Sequence, residues 1–314
     1  MQAMKTALIC LAAVAAASAV LPLAGCSTNP LTGRSQLMLV SEASAEKESA
    51  SAYQQMMGGL TKKGQIEHGT ARVQQVQEIT DRLIAQAIKL KPESAKWRWE
   101  VQVIEDPKTV NAFCMAGGKM AIYAGMWDQL HASDEEIAQV MGHEISHALA
   151  EHTRERMSVA YSTGAATTVA AIALGAGDTA AQLMQQAAVV AIGLPNSRES
   201  EAEADQIGIE LAARAGYDPR SAVALWEKMA KLPGGRQPEF LSTHPSPEHR
   251  AENLRALGEK VMPYYLAAKA NPAPVARYVN LAGAPGVNRP SAKPAANRQQ
   301  MRDDGDGGGS ARRR

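Results

Sequence analysis

Cysteine is scarce in this 314-residue chain. Of its three cysteines, Cys10 lies inside an apolar N-terminal run and Cys26 at its end, which leaves Cys114 alone in the body of the sequence. That excludes an internal disulfide there, and Cys114, with no partner thiol and no activating cation beside it, reads as a small buried residue. An excess of either charge is also missing. Lys and Arg number 33 against 32 Asp and Glu, for a net charge of +1 and a pI near 7.8, so the basic field that nucleic acid binding requires is absent. No period of roughly 20 to 50 residues recurs, which excludes a repeat array. The Ala-rich stretch 161–192 is too interrupted for a bilayer span, because Thr163, Gly164, Thr167, Thr168, Gly175 and Asp178 fall within it.

Residues 1–25 are a different matter. They carry one early cation, Lys5, an apolar run from Ala7 to Leu23, and small residues before Cys26, the pattern of a secretory signal. Leu23-Ala24-Gly25-Cys26 resembles the lipobox of bacterial lipoproteins, which implies cleavage before Cys26 and lipidation of its sulfur. A multiply acylated cysteine makes a stable membrane anchor where a single acyl chain does not. Ser27 stands where an Asp would favour inner-membrane retention, so the resemblance implies a periplasmic protein on the inner face of the outer membrane. Residues 26–40 then form a lipidated linker and 41–269 the folded domain. The segment 270–314, rich in Pro, Ala, Gly and Arg, has too few large apolar residues to pack and is expected to be disordered.

Within the domain, 41–60 and 72–90 read as helices, the second from Val73, Val76, Ile79, Leu83 and Ala87 at helical spacing with Pro92 as its stop. The period changes to two over 97–103, where Trp97, Trp99, Val101 and Val103 alternate with polar residues, and 119–124 alternates again after Gly117-Gly118. These segments, with an extended 111–115, predict a small antiparallel sheet. Ser133 and Glu136 form a capping box that opens a helix over 134–156. Its stripe of Ala138, Met141, Ile145, Ala148 and Leu149 lies on one side, and His143 and His147 lie on the other. Further helices are expected over 197–214 and 247–268, and a helical flap or packing hairpin over 161–192.

His143-Glu144-Ile145-Ser146-His147 spells H-E-x-x-H, and on a helix the i, i+4 spacing brings two imidazoles to one metal ion. Glu144 stands beside them but points off the metal, as suits a general base toward water. A catalytic zinc site takes a third protein ligand, and Glu201-Ala202-Glu203-Ala204-Asp205 supplies carboxylates on a later helix, with Glu201 and Asp205 sharing a face. The metzincin pattern fails, since Ala150 stands where its Gly belongs and Thr153 where its third His belongs.

Taken in order, His143 to His147, the Glu201 to Asp205 cluster, Ser242-Thr243-His244-Pro245, Asn111-Ala112-Phe113 and Gly117-Gly118-Lys119 resemble the HtpX-like and CAAX-prenyl-protease-type zinc metallopeptidases, of gluzincin type. The resemblance implies an α+β, predominantly helical, zincin-like catalytic domain with the small sheet beside the H-E-x-x-H helix. It also implies one zinc ion per chain held by His143, His147 and Glu201, with Asp205 orienting a ligand histidine. His244 would lie near the metal, where it could stabilise an oxyanion or occupy the metal at rest, and Arg250 would support the site electrostatically. Glu199 and Glu203 are expected to be solvated. Peptide substrates of gluzincins lie along an edge strand, so Gly118, Lys119, Met120 and Ala121 are expected to offer unpaired backbone groups, with Asn111 holding that edge. Relatives commonly have Pro before the Gly-Gly; this chain has Ala116.

The expected function is that of a zinc endopeptidase with Glu144 as general base, cutting misfolded or stalled outer-membrane proteins in envelope quality control. Its expected partners are those unfolded chains and, through Cys26, the membrane; nucleic acid is not among them. The rival readings are a periplasmic chaperone that uses the same cleft with little proteolysis, and an inner-membrane prenyl-protease-like enzyme, which the single apolar run disfavours.

Overall fold

A computed structural model describes residues 25–173, 194–232, 239–245 and 249–279. The expected signal segment up to residue 24, the part of the expected flap from 174 to 192, the start of the helix expected over 247–268 and residues 280–314 lie outside the described residues. In chain order the elements are β1 (Cys26–Thr28), β2 (Ser35–Leu37), α1 (Glu42–Lys62), α2 (Ala71–Leu90), a 3-10 turn (Pro92–Lys96), β3 (Glu100–Ile104), β4 (Ala112–Met115), β5 (Lys119–Tyr123) and the short α3 (Gly125–Asp128). They continue with α4 (Asp134–Leu149), α5 (His152–Ala173), α6 (Arg198–Arg214), α7 (Ser221–Ala230), α8 (Glu239–Thr243) and α9 (Arg250–Ala270). The domain is α+β and predominantly helical, and no described helix is long and apolar enough to cross a membrane.

Helix starts follow the side-chain chemistry. Ser41, Thr70, Ser133 and Ser197 each accept a backbone N–H as N-caps, and Ser133 with Glu136 completes the reciprocal box. Helix α4 is the centre of the fold. It packs against α2, α6, α7 and β4, and every residue from Glu136 to Leu149 is buried, so its apolar stripe is only one part of a fully enclosed surface.

The expected helix over 134–156 is broken. Leu149 ends α4, Glu151 adopts a left-handed φ of 60°, and α5 begins at His152. Long-range bonds hold this break: Ala150 O accepts from Asn29 Nδ2 (2.8 Å) and Gln36 Nε2 (3.0 Å), while Glu151 accepts from Lys91 Nζ and Arg154 Nη1 (2.6 Å each). The carbonyl freed at the helix end is thus satisfied by the β1–β2 hairpin.

The three-stranded sheet also differs from expectation. Its order is β3-β5-β4, with β4–β5 antiparallel and β3–β5 parallel, because the connection after β3 carries the chain past β5 to its far side. The strand expected at the edge, β5, is therefore central. Gly118 turns into it at φ 75° beneath Trp99, Lys119 Nζ donates to Arg98 O (2.5 Å), Met120 O accepts from Tyr53 (2.8 Å), and Ala121 is fully buried opposite Phe113. Alternation revealed a strand but not its neighbours. Among the described residues the free edge is β4, since residues 65–67 flank β3.

Residues 272–279, expected to be part of a disordered tail, run back over α2. Asp81 Oδ1 accepts the backbone N–H groups of Tyr278 (2.8 Å) and Val279 (3.0 Å), and Val279 is buried.

Helices α4 and α6 meet backbone to backbone. A Cβ added at Gly208 would lie 2.8 Å from the Cα and N of His143, so Gly208→Ala is expected to destabilise the protein by about 1–3 kcal/mol through overpacking, read as a lowered melting temperature against Gly58→Ala, where a Cβ meets nothing within 4 Å.

Candidate metal centre

The α4–α6 contact brings His143 and His147 against Glu201. The Nε2 atoms of the two histidines are 3.1 Å apart, and each lies 3.3 Å from one oxygen of Glu201. His244, at the end of α8, completes the group, with Nδ1 2.9 Å from Glu201 Oε1 and 3.3 Å from His143 Nε2. One ligand atom from each of these four buried residues lies within 4.8 Å of the others. Ligands at about 2.0–2.1 Å in a tetrahedron stand about 3.3–3.4 Å apart, so this cage of imidazoles and one carboxylate fits zinc.

Electrostatics explain how Glu201 remains in so buried a place. Burial opposes its ionisation, but His143, His147 and His244 around it hold its pKa far below the usual carboxylate range. Burial pushes His143 down; the charge of Glu201 with the Asp205 bond outweighs it and raises His143 to about 9. His147 is held well below its ordinary value by burial. Glu144 is raised by burial, as a general base near neutrality needs. Its Oε1 is buried and makes no hydrogen bond among the described residues, with His244 Nε2 3.4 Å away.

Asp205, one turn after Glu201, lies 3.0 Å from His143 Nδ1 and accepts from Arg250 Nη2 at 2.6 Å. Arg250 Nη1 donates to Glu201 Oε2 at 3.2 Å, and the guanidinium lies over Trp226. The cation thus ties both acids of α6 to the start of α9. Phe240 stacks on His244, with centroids 4.4 Å apart. A cleft of about 270 Å³ opens from Glu144 and His244 along Ala112 to Met115, lined also by Met56 and Leu194. This places the cleft on β4, so Gly118, Lys119, Met120 and Ala121 do not line it. Asn111 does: its Oδ1 accepts from Ala112 N–H (2.9 Å) and its Nδ2 donates to Glu239 (3.2 Å), joining the edge to α8.

Several partners were not legible beforehand. Glu203 is not solvated, for it accepts from Arg34 Nε (2.9 Å) and faces His152 Nε2 (2.9 Å); Glu199 is exposed. Asn196 Nδ2 lies 3.3 Å from His244 Nδ1. Only His152, five residues after His147, carried any signal in its spacing. Cys114 is buried beneath the cleft, where burial pushes its thiol up, and Cys26 is exposed at the start of β1.

A family model described as Peptidase family M48 matches residues 70–258, a span that contains all four cage residues. Similar proteins include the mitochondrial metalloendopeptidase OMA1 of Arabidopsis thaliana, 38% identical over 50% of this chain and 31% of that protein. The human mitochondrial metalloendopeptidase OMA1 is 31% identical over 73% of this chain and 45% of its own length. The metalloprotease LoiP of Escherichia coli is 34% identical over 47% of this chain and 58% of its own. The chain therefore spans about a third to three fifths of the length of these relatives.

Removing the Asp205 carboxylate leaves His143 Nδ1 without its acceptor. Asp205→Ala is expected to weaken zinc binding by about 10- to 100-fold, measured by competition with a chromogenic chelator.

Proposed function

From the premise that the chain belongs to peptidase family M48, a family of zinc metallopeptidases, we propose that this protein is an endopeptidase that hydrolyses extended segments of unfolded polypeptides. The observation that carries the reading is the buried His143, His147, Glu201 and His244 cage, with Glu144 beside it, opening on a cleft that runs along a free strand edge. In an antiparallel ladder alternate residues turn their backbone groups outward. Because Asn111 O accepts from Tyr123 N–H, those of β4 are Cys114 and Ala112, the N–H of the latter already taken by Asn111 Oδ1. A substrate strand that adds there would carry its scissile bond toward Glu144.

His143, His147 and Glu201 would hold the zinc. When bound, it supplies Lewis acidity that activates water and stabilises negative charge on the attacked carbonyl oxygen. Glu144, kept proton-avid by burial, takes the proton of the attacking water and passes it to the departing amine. A catalytic site needs an open position, and a fourth donor fills it. We therefore read His244 as the donor that covers the site at rest and yields when a substrate enters; Phe240, stacked on its ring, holds it there meanwhile.

The finer setting is also our reading. The Leu23 to Cys26 sequence supports a lipid anchor and a place on the periplasmic side of the outer membrane, within a periplasmic lipoprotein branch related to the HtpX-like and CAAX-prenyl-protease-type enzymes. Cys26 at the exposed start of β1 is compatible with that attachment. Misfolded or stalled outer-membrane proteins are then the substrates at hand. Cys26→Ser is expected to move the protein from the membrane pellet to the soluble fraction; retention in the pellet would remove the anchor.

Casein cleavage and zinc content, measured together, test the activity. Glu144→Gln is expected to keep its zinc and lose cleavage by about 10²–10⁴-fold, whereas Glu201→Ala loses both. Wild-type protein that holds zinc, cuts neither casein nor unfolded outer-membrane proteins, and still suppresses their aggregation would replace the peptidase with a chaperone.

A further inference from the structure

His147 turns its Nε2 toward the cage, 3.1 Å from His143 Nε2 and 3.3 Å from Glu201 Oε1. The other ring nitrogen must then carry the proton and find an acceptor, since that bond fixes both tautomer and ring plane. The partner is His152 Nδ1 at 2.7 Å. An imidazole nitrogen accepts only when its own proton sits on the other nitrogen. His152 Nε2 accordingly faces Glu203 Oε2 at 2.9 Å. The second oxygen of Glu203 accepts Nε–H of Arg34 at 2.9 Å, and the two terminal nitrogens of Arg34 donate one each to the two oxygens of Glu155 at 2.6 Å.

The directions of these bonds form one consistent series, and His152 is 1% exposed, so both its ring nitrogens are spent on these buried partners. The series exists only because of the break at Glu151. A continuous helix would have placed residue 152 more than a turn beyond His147, whereas the left-handed residue folds the start of α5 back onto it. The same hairpin that supplies Arg34 holds the break, through Asn29 and Gln36 on Ala150 O.

We propose that His152 and Glu203 are positioning residues for His147, and that the hairpin 26–37 locks them through Arg34. The hairpin thereby sets how firmly the chain holds its metal, so a segment remote from the cleft in sequence controls the second H-E-x-x-H histidine. The proposal rests on reading His147 as a zinc ligand but not on peptide hydrolysis.

The test compares His152→Ala, His152→Asn, Glu203→Leu and Arg34→Ala in the full chain. Zinc affinity is measured by chelator competition, casein turnover is split into kcat and KM, and the melting of the zinc-free protein reports folding. His152→Ala is expected to weaken zinc by about 10- to 100-fold and to lower kcat with little change in KM. Asn places Oδ1 where Nδ1 stood and so restores most of the affinity, which a purely space-filling role would not do, because Asn fills the site less well than His. Arg34→Ala gives a smaller loss and adds nothing in the Glu203→Leu background, as members of one series should. Zinc affinity unchanged in a folded His152→Ala protein, or Ala and Asn variants that behave alike, overturns the proposal. Should His152→Ala not fold, the Arg34 and Glu203 pair decides it, with additive losses counting against the series. If wild type cuts no peptide while zinc affinity follows the expected order, the peptidase reading fails and this one stands.

Discussion

At Gly142 and Gly208 the backbones of α4 and α6 come into contact; a Cβ at Gly142 would lie 2.9 Å from Gly208 O. Everything at the site follows from that close approach. It lets a carboxylate as short as Glu201 reach between two histidines on the neighbouring helix, and it puts Asp205, one turn on, behind His143. Side chains at either glycine would hold the helices apart, and the four donor atoms could no longer share one centre. Close helix packing and ligand geometry are here the same constraint.

That geometry buries several charges, and the rest of the site can be understood as their compensation. A fully buried Glu201 and a nearly buried Asp205 require partners, since uncompensated charge in a core is costly. Arg250 meets both, and Trp226 covers its guanidinium face. Glu144 is the exception, with an oxygen beside the cleft that makes no hydrogen bond among the described residues. A buried carboxylate with spare proton affinity is what the proposed chemistry needs, so among the described acids around the cage the one with an unpaired oxygen is the one expected to react.

A second set of ionic contacts runs outside the cage, from Glu155 through Arg34 and Glu203 to His152. It connects the hairpin at residues 26–37 to a histidine of the cage. The hairpin that begins at Cys26 is therefore part of the domain and no mere linker, and it occupies the place where α4 ends. None of the hairpin's residues lines the cleft along β4.

The chemistry was legible in the sequence wherever it depended on spacing along one helix. His143, Glu144 and His147 are set by i, i+4 geometry, Glu201 and Asp205 by the same period, and the start of α4 by the Ser133 and Glu136 box. Each is a local fact that needs no neighbour. Strand order, the end of α4 and the fate of Glu203 were not legible, because each is decided by a partner far away in the chain. Lys119 to Tyr123 alternates like any strand, yet only its pairing with both β3 and β4 makes it central. Glu203 looks like any solvated acid until Arg34 and His152 reach it. The sequence alone determined which atoms can bind metal and move protons; tertiary packing decided which edge stays open and what holds those atoms in place, since hydrogen bonds between distant segments leave no period to read.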